Sequence, residues 1–139
     1  MNMIRKKDGS PFRFLIVDDS QAMRNALGFA VRLLGGEVIA QAENGQVALK
    51  EYKKWRPDIV LCDIEMPVLD GISTVKQLTE LDPQAKIIMV SSLAHRSKVL
   101  EAVNAGALYF IVKPFKPRQA AEAIVNIISR VCPICREAV

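Results

Sequence analysis

Short apolar runs and helix-period stretches alternate five times along this chain, and that alternation restricts the fold more than any single residue does. The runs are Phe14–Val17, Val38–Ala42, Ile59–Cys62, Ile87–Val90 and Tyr109–Val112. Each has the length of a strand rather than a helix. Ile59–Cys62 shows no polar alternation, as expected of a strand covered on both faces. Val38–Ala42 is the weakest and reads as peripheral.

Between the runs the spacing turns helical. Ser20 is a candidate N-cap, and Met23, Ala26, Leu27, Ala30, Val31 and Leu34 follow at helical intervals up to the stop at Gly35-Gly36. Asn44-Gly45 turns into a helix with Val47, Ala48, Tyr52 and Trp55 on one side, ending before Pro57. Ile72, Val75 and Leu78 mark a third helix that ends before Asp82-Pro83. A fourth is expected over about Ser97 to Ala105, before Gly106, and the last carries Ile124, Ile127, Ile128 and Val131 after Lys113-Pro114. No internal repeat, linker or low-complexity segment interrupts the series. Five consecutive strand–helix units imply one parallel sheet with helices on both faces, since parallel strands need right-handed crossover connections.

In such sheets ligands bind outside the carboxyl ends of the strands. Asp18 and Asp19 follow the first strand, Asp63 the third, Ser91 the fourth, and Lys113 the fifth. Alone, an aspartate after a strand is ordinarily a turn residue or a helix cap, and a lysine before proline a solvated loop residue. Together they place three carboxylates, a hydroxyl and an ammonium at corresponding strand ends. Two carboxylates about 4 Å apart repel by roughly 4 kcal/mol at an effective dielectric of about 20, so the cluster either shares protons or recruits a cation. Oxygen ligands without histidine or thiolate favour Mg²⁺, which takes one or two carboxylates and completes its shell with water and phosphate oxygens. Lys113 and Ser91 would surround a phosphoryl group, and Asp63 is the candidate nucleophile, since carboxylates form acyl phosphates.

Composition narrows the alternatives. The 139 residues fit one domain with a real core. No apolar run approaches a membrane span, and the start "MNMIRKKDGSPFRF" has no apolar signal region, so the chain reads as cytoplasmic. A net charge of +4 is mild and the aromatics are few, 6% of residues, so a nucleic-acid partner has little support. Of three cysteines, Cys62 sits in a strand, while Cys132 and Cys135 form a CxxC. With His95 the only histidine, the pair could be half of a zinc site, but helix-end thiols are the simpler reading.

Four segments in order, "VDDS" (17–20), "DIEMPVLDG" (63–71), "VSS" (90–92) and "KPF" (113–115), make the chain similar to the response-regulator receiver domain, the module that also forms single-domain chemotaxis regulators. The resemblance runs from Phe14 to Val131. It implies a flavodoxin-like, doubly wound (βα)5 domain over residues 12–131, with a basic arm at 1–11 that includes Arg5, Lys6 and Lys7, and a short tail at 132–139. By the resemblance, Asp63 accepts a phosphoryl group from the phosphohistidine of a histidine kinase. Asp19, Asp63 and the backbone carbonyl of Glu65 hold Mg²⁺ (or Mn²⁺), with Asp18 acting through water. Lys113, followed by a cis bond to Pro114, pairs with the phosphoryl oxygens, and Ser91 bonds one of them after transfer. Ser91 and Phe110 form the switch, here without the hydroxyl of the commoner tyrosine; Tyr109 is assigned to core or sheet packing.

Glu65 and Leu93 flank the site and would tune hydrolysis, while His95 is expected at the surface. "VSSL" is also similar to receivers of the chemotaxis methylesterase. The stretch after Lys113 leaves no room for an output domain, so the expected output is a changed protein-binding surface. Implied partners are the kinase, a downstream target such as a flagellar motor component, and a phosphatase. A phosphorelay shuttle and a receiver fragment are the near alternatives. An aspartyl-phosphate phosphatase of the haloacid dehalogenase type is the distant one, disfavoured because Glu65 stands where that family has aspartate.

Overall fold

In the computed structural model, which describes residues 3–92, 94 and 96–137, every expected apolar run is a strand and every helical stretch a helix. The central strands are β2 (Arg13–Val17), β3 (Glu37–Ala42), β4 (Ile59–Asp63), β5 (Ile87–Ser92) and β6 (Tyr109–Lys113), and the helices are α1 (Gln21–Leu33), α2 (Gly45–Trp55), α3 (Gly71–Leu81), α4 (Arg96–Asn104) and α5 (Pro117–Val131). The sheet is parallel, in the order β3-β2-β4-β5-β6. The order reverses direction after β2, which leaves a crevice at the carboxyl ends of β2 and β4.

Both faces of the sheet are covered. Phe14 and Ile16 point into one apolar cluster with Leu27 and Val31 of α1 and Ile124 and Ile128 of α5. Leu15 and Val17 alternate into the other, with Ala48 and Tyr52 of α2, Val75 and Leu78 of α3, and Val99 of α4. β3 is an edge strand, as its weaker pattern suggested. Ser20, Asn44 and Asp70 cap α1, α2 and α3 through side-chain oxygens that accept from the N–H groups of Met23, Val47 and Ser73. α1 ends where Gly35 adopts φ 88° and the N–H groups of Gly35 and Gly36 turn back to the carbonyls of Arg32 and Val31.

The chain ends depart from the sequence reading. The supposed basic arm and tail form an antiparallel ribbon, β1 (Met3–Lys6) with β7 (Ile134–Glu137), in which Arg5 lies opposite Cys135. Ile4 is fully buried and its N–H donates to the Leu34 carbonyl at 2.9 Å, while Lys6 pairs with Asp58 at 3.2 Å. The ribbon thus closes the amino-terminal end of the sheet.

Two aromatic side chains are only partly covered. Trp55, at the last turn of α2, is 40% exposed under the Lys54 ammonium. Tyr109 is 46% exposed and meets Phe110 edge-on, because β6 is a sheet edge. Leu93 and His95 lie outside the described residues. No helix among the described residues is long and apolar enough to cross a membrane.

Candidate functional site

The carboxyl ends of β2, β4 and β6 converge. Asp18, Asp19 and Asp63 each offer an oxygen within 4.8 Å of the others. Asp18 and Asp63 are buried and Asp19 is exposed, so the cluster has a dry floor and an open side. Lys113 lies between the two buried carboxylates, its Nζ 3.2 Å from Asp18 Oδ2 and 3.3 Å from Asp63 Oδ1. It is the last residue of β6 and leads directly into a cis peptide bond with Pro114.

The backbone frame is tied down locally. Asp18 donates its N–H to the Ala42 carbonyl at 3.0 Å, and its Oδ1 accepts from the Ser20 N–H at 2.9 Å. Beyond β4, the Gly71 N–H donates to the Ile64 carbonyl at 2.7 Å, an approach at which a Cβ would lie 2.6 Å from Ile64 Cα. Glycine is needed there so that α3 can start against the loop that follows the acceptor candidate.

One ammonium does not balance three carboxylates in a partly dry site. Burial pushes the Asp63 carboxyl above its usual range, Asp18 adds to the rise, and Lys113 offsets only part of it. Burial works against the charge of Lys113, but Asp63 and Asp18 outweigh it and hold the ammonium above its ordinary value. The cluster is therefore frustrated as it stands, and its donors are hard oxygens around an open side. That donor set fits a small divalent cation that retains water, such as Mg²⁺.

The other expected site residues are placed as follows. Ser91 is buried at the end of β5, and its hydroxyl donates to the Ser92 carbonyl at 3.1 Å rather than into the cluster. Phe110 is half-buried and borders a cavity of about 140 Å³ lined also by Ser92, Arg96, Val99, Leu100 and Val112. Glu65 is at the mouth, where its carboxylate pairs with Lys98 of α4 at 2.9 Å. Cys132 caps α5 and Cys135 lies in β7, both as free thiols. Among the described residues, the group of three or more potential metal ligands is the aspartate cluster, and the CxxC joins no such group.

Sequence reasoning missed Lys98 and Arg24. Lys98 gave no signal, because its partner is on a distant loop. Arg24 gave one: a cation near the start of a helix opposes the helix dipole, which calls for a compensating contact.

A five-stranded parallel sheet with an aspartate triad and a lysine at its carboxyl edge defines the receiver class. The family model for the response regulator receiver domain matches residues 14–125, and the chain belongs to that family. Within it, the chain is similar to the chemotaxis protein CheY of Thermotoga maritima, at 46% identity over 81% of this chain and 93% of that protein. A solved CheX–CheY–BeF₃–Mg²⁺ complex from Borrelia burgdorferi superposes with a TM-score of 0.80, at 35% identity over 88% of this chain and 91% of that chain. The response regulator domain of Thermotoga maritima CheB superposes with a TM-score of 0.76, at 33% identity over 86% of this chain and 95% of that chain.

Proposed function

We propose that this receiver is a chemotaxis-type response regulator that takes a phosphoryl group on Asp63 from a histidine kinase. The observation that carries the reading is the Lys113 ammonium held between Asp18 and Asp63, with Asp19 beside them at the open side. Asp18 and Asp63 both lie beside Lys113, and of the two it is Asp63 that ends β4, the middle strand of the sheet.

An oxygen of the Asp63 carboxylate attacks the phosphorus of a phosphohistidine. The bond from phosphorus to the imidazole nitrogen breaks, and the imidazole leaves with the electron pair and takes up a proton. The acyl phosphate is later hydrolysed by water, restoring Asp63 and releasing inorganic phosphate. Asp19, Asp63 and the Glu65 carbonyl would hold Mg²⁺, with Asp18 acting through water. Bound there, the ion supplies charge neutralisation for the phosphoryl oxygens. Lys113 binds one of those oxygens and keeps its charge over the whole physiological range.

In this reading the chain catalyses only its own phosphorylation and dephosphorylation. Ser91 turns its hydroxyl from the Ser92 carbonyl toward the new phosphoryl oxygens, and Phe110 moves with it. The equilibrium of the α4–β6–α5 surface then shifts toward the form that a target, such as a flagellar motor component, prefers. The Borrelia complex with CheX supports a second protein that binds the phosphorylated form, and a phosphatase is the partner we assign to it.

The test is intact mass after incubation with Mg²⁺ and acetyl phosphate, for the wild type and Asp63→Asn. Gain of one phosphoryl group, abolished by EDTA and by the substitution, is expected. A stable adduct on Asp63→Asn would refute the assignment of the acceptor, and multiple turnover without adduct would support a phosphatase instead.

A further inference from the structure

The acidic cluster rests on a guanidinium that lies outside it. Arg24 sits one turn into α1, with its N–H bonded to the carbonyl of the cap residue Ser20. Helical side chains lean toward the N-terminus, so this arginine reaches back past the cap. Its Nη1 donates to the backbone carbonyl of Asp18 at 2.7 Å. Its Nη2 donates to Gln21 Oε1 at 2.7 Å, and its Nε to Gln41 Oε1 of the edge strand at 3.2 Å. All three donor nitrogens are engaged, so the plane of the guanidinium is fixed by α1, β3 and the loop it supports.

That carbonyl belongs to the peptide joining Asp18 to Asp19. On its other side the Asp18 N–H is held by Ala42 and the Asp18 carboxylate by the Ser20 N–H. Without the arginine, the Asp18 carbonyl would lose a charge-assisted partner, and the Asp18–Asp19 peptide would be free to rotate. Asp19, exposed at the open side of the cluster, would then lose its fixed direction. A cation at this end of α1 is unfavourable for the helix itself, so helix stability does not account for its presence.

We propose that Arg24 is a positioning residue for the acidic cluster, fixing the peptide that carries Asp18 and Asp19 and thereby setting the affinity of the site for a divalent cation. The proposal rests on the reading of that cluster as a Mg²⁺ site. Residues that orient metal ligands from behind typically change affinity by about 10–100-fold when removed. Arg24 acts on a peptide rather than on a carboxylate, so the lower end, about tenfold, is expected.

The experiment is calorimetric titration with Mg²⁺ of the metal-free wild type, Arg24→Gln, Arg24→Lys, Arg32→Gln and Ile128→Val, with urea unfolding of each in EDTA. Arg32 is an exposed arginine of the same helix, and Ile128 is a core residue of α5, which packs against α1; they control for helix charge and for general destabilisation. The expected result is about tenfold weaker binding for Arg24→Gln, an intermediate value for Arg24→Lys, and wild-type affinity for the two controls. Equal affinities of wild type and Arg24→Gln would overturn the proposal alone, as would an equal weakening in Ile128→Val. Absence of binding by the wild type at millimolar Mg²⁺ would overturn the metal reading and this proposal together.

Discussion

Replacing Asp63 by asparagine should make the metal-free protein more stable, although it removes the acceptor. Asparagine keeps the shape and still offers Lys113 an acceptor oxygen, so the change is one of charge. The Asp63 oxygen lies within 4.8 Å of oxygens of Asp18 and Asp19. At an effective dielectric of about 20, each such pair repels by at least roughly 3.5 kcal/mol, although the exposed Asp19 contributes only a screened part. Lys113, at 3.3 Å, offsets about 5 kcal/mol on the same scale. Burial disfavours the ionised carboxylate by several kcal/mol more. The upward displacement of the Asp63 carboxyl means that desolvation and repulsion win. When terms of that size nearly cancel, about 1–2 kcal/mol in favour of asparagine is the expected remainder.

The sign fixes the pH dependence. An acid with a raised folded-state value binds its proton more tightly when folded, so stability falls as pH rises from the unfolded value, about 3.9, through the folded one. The advantage of Asp63→Asn in EDTA should therefore grow as pH rises from about 4 through the folded-state value of Asp63 and vanish as pH falls toward about 4. Mg²⁺ at ten times its dissociation constant should stabilise the wild type by about 1.4 kcal/mol and close or reverse the gap. Urea unfolding across pH, with EDTA and with Mg²⁺, measures all three effects. A variant no more stable than wild type at pH 7 in EDTA would refute the electrostatic account of the site.

Other substitutions probe the frame. Gly71→Ala forces a Cβ against Ile64 and should lose about 1–3 kcal/mol by urea unfolding, with slower phosphorylation by acetyl phosphate because the loop beyond Asp63 must shift. Val68 is a β-branched residue at φ 70° in a three-residue turn closed by the Leu69 N–H on the Pro67 carbonyl; Val68→Gly should raise the urea midpoint by about 0.5–1 kcal/mol equivalent. Ile4→Ala should lose about 2–5 kcal/mol in thermal melts if the ribbon is part of the core, whereas a loose arm would leave the melt unchanged.

The central sheet was legible because strands covered on both faces are written as unbroken apolar runs. Five such runs followed by helices leave little choice of architecture. Asp18, Asp63 and Lys113 were legible for a related reason: each is the first charged residue after a run, with Asp19 next to Asp18, and a parallel sheet sends all those positions to one edge. The β1–β7 ribbon was not, since "MIRK" carries one inward-facing residue, Ile4, among basic ones. Its pairing partner lies at the opposite end of the chain, so no local pattern announces it. Trp55 follows the helical period of α2 but falls past the core, and Tyr109 follows the alternation of an edge strand with one flank uncovered. Period predicts the face of an element, while cover depends on what lies over that face. The reach of Arg24 to the Asp18 carbonyl is a side-chain event, visible in sequence only as a cation at the wrong end of a helix.

The two ends of the sheet are built to opposite purposes. At the amino-terminal end, Ile4, Phe12 and Leu34 are buried beneath the ribbon, and opposite charges pair at its rim, Lys6 with Asp58 and Arg56 with Asp82. At the carboxyl end the backbone is fixed by Arg24, Ala42 and Gly71, yet the side chains hold charges that repel. A frame that cannot relax keeps that repulsion in place until a cation or a phosphoryl group changes the charge count. The response must then come from groups that can turn without moving the frame. Ser91, whose hydroxyl donates to the carbonyl of the adjacent Ser92, and Phe110, beside its cavity, are such groups. On the proposed reading, a change of charge at Asp63 is therefore converted into a change of shape beside α4, where the Lys98–Glu65 pair ties that helix to the mouth of the site.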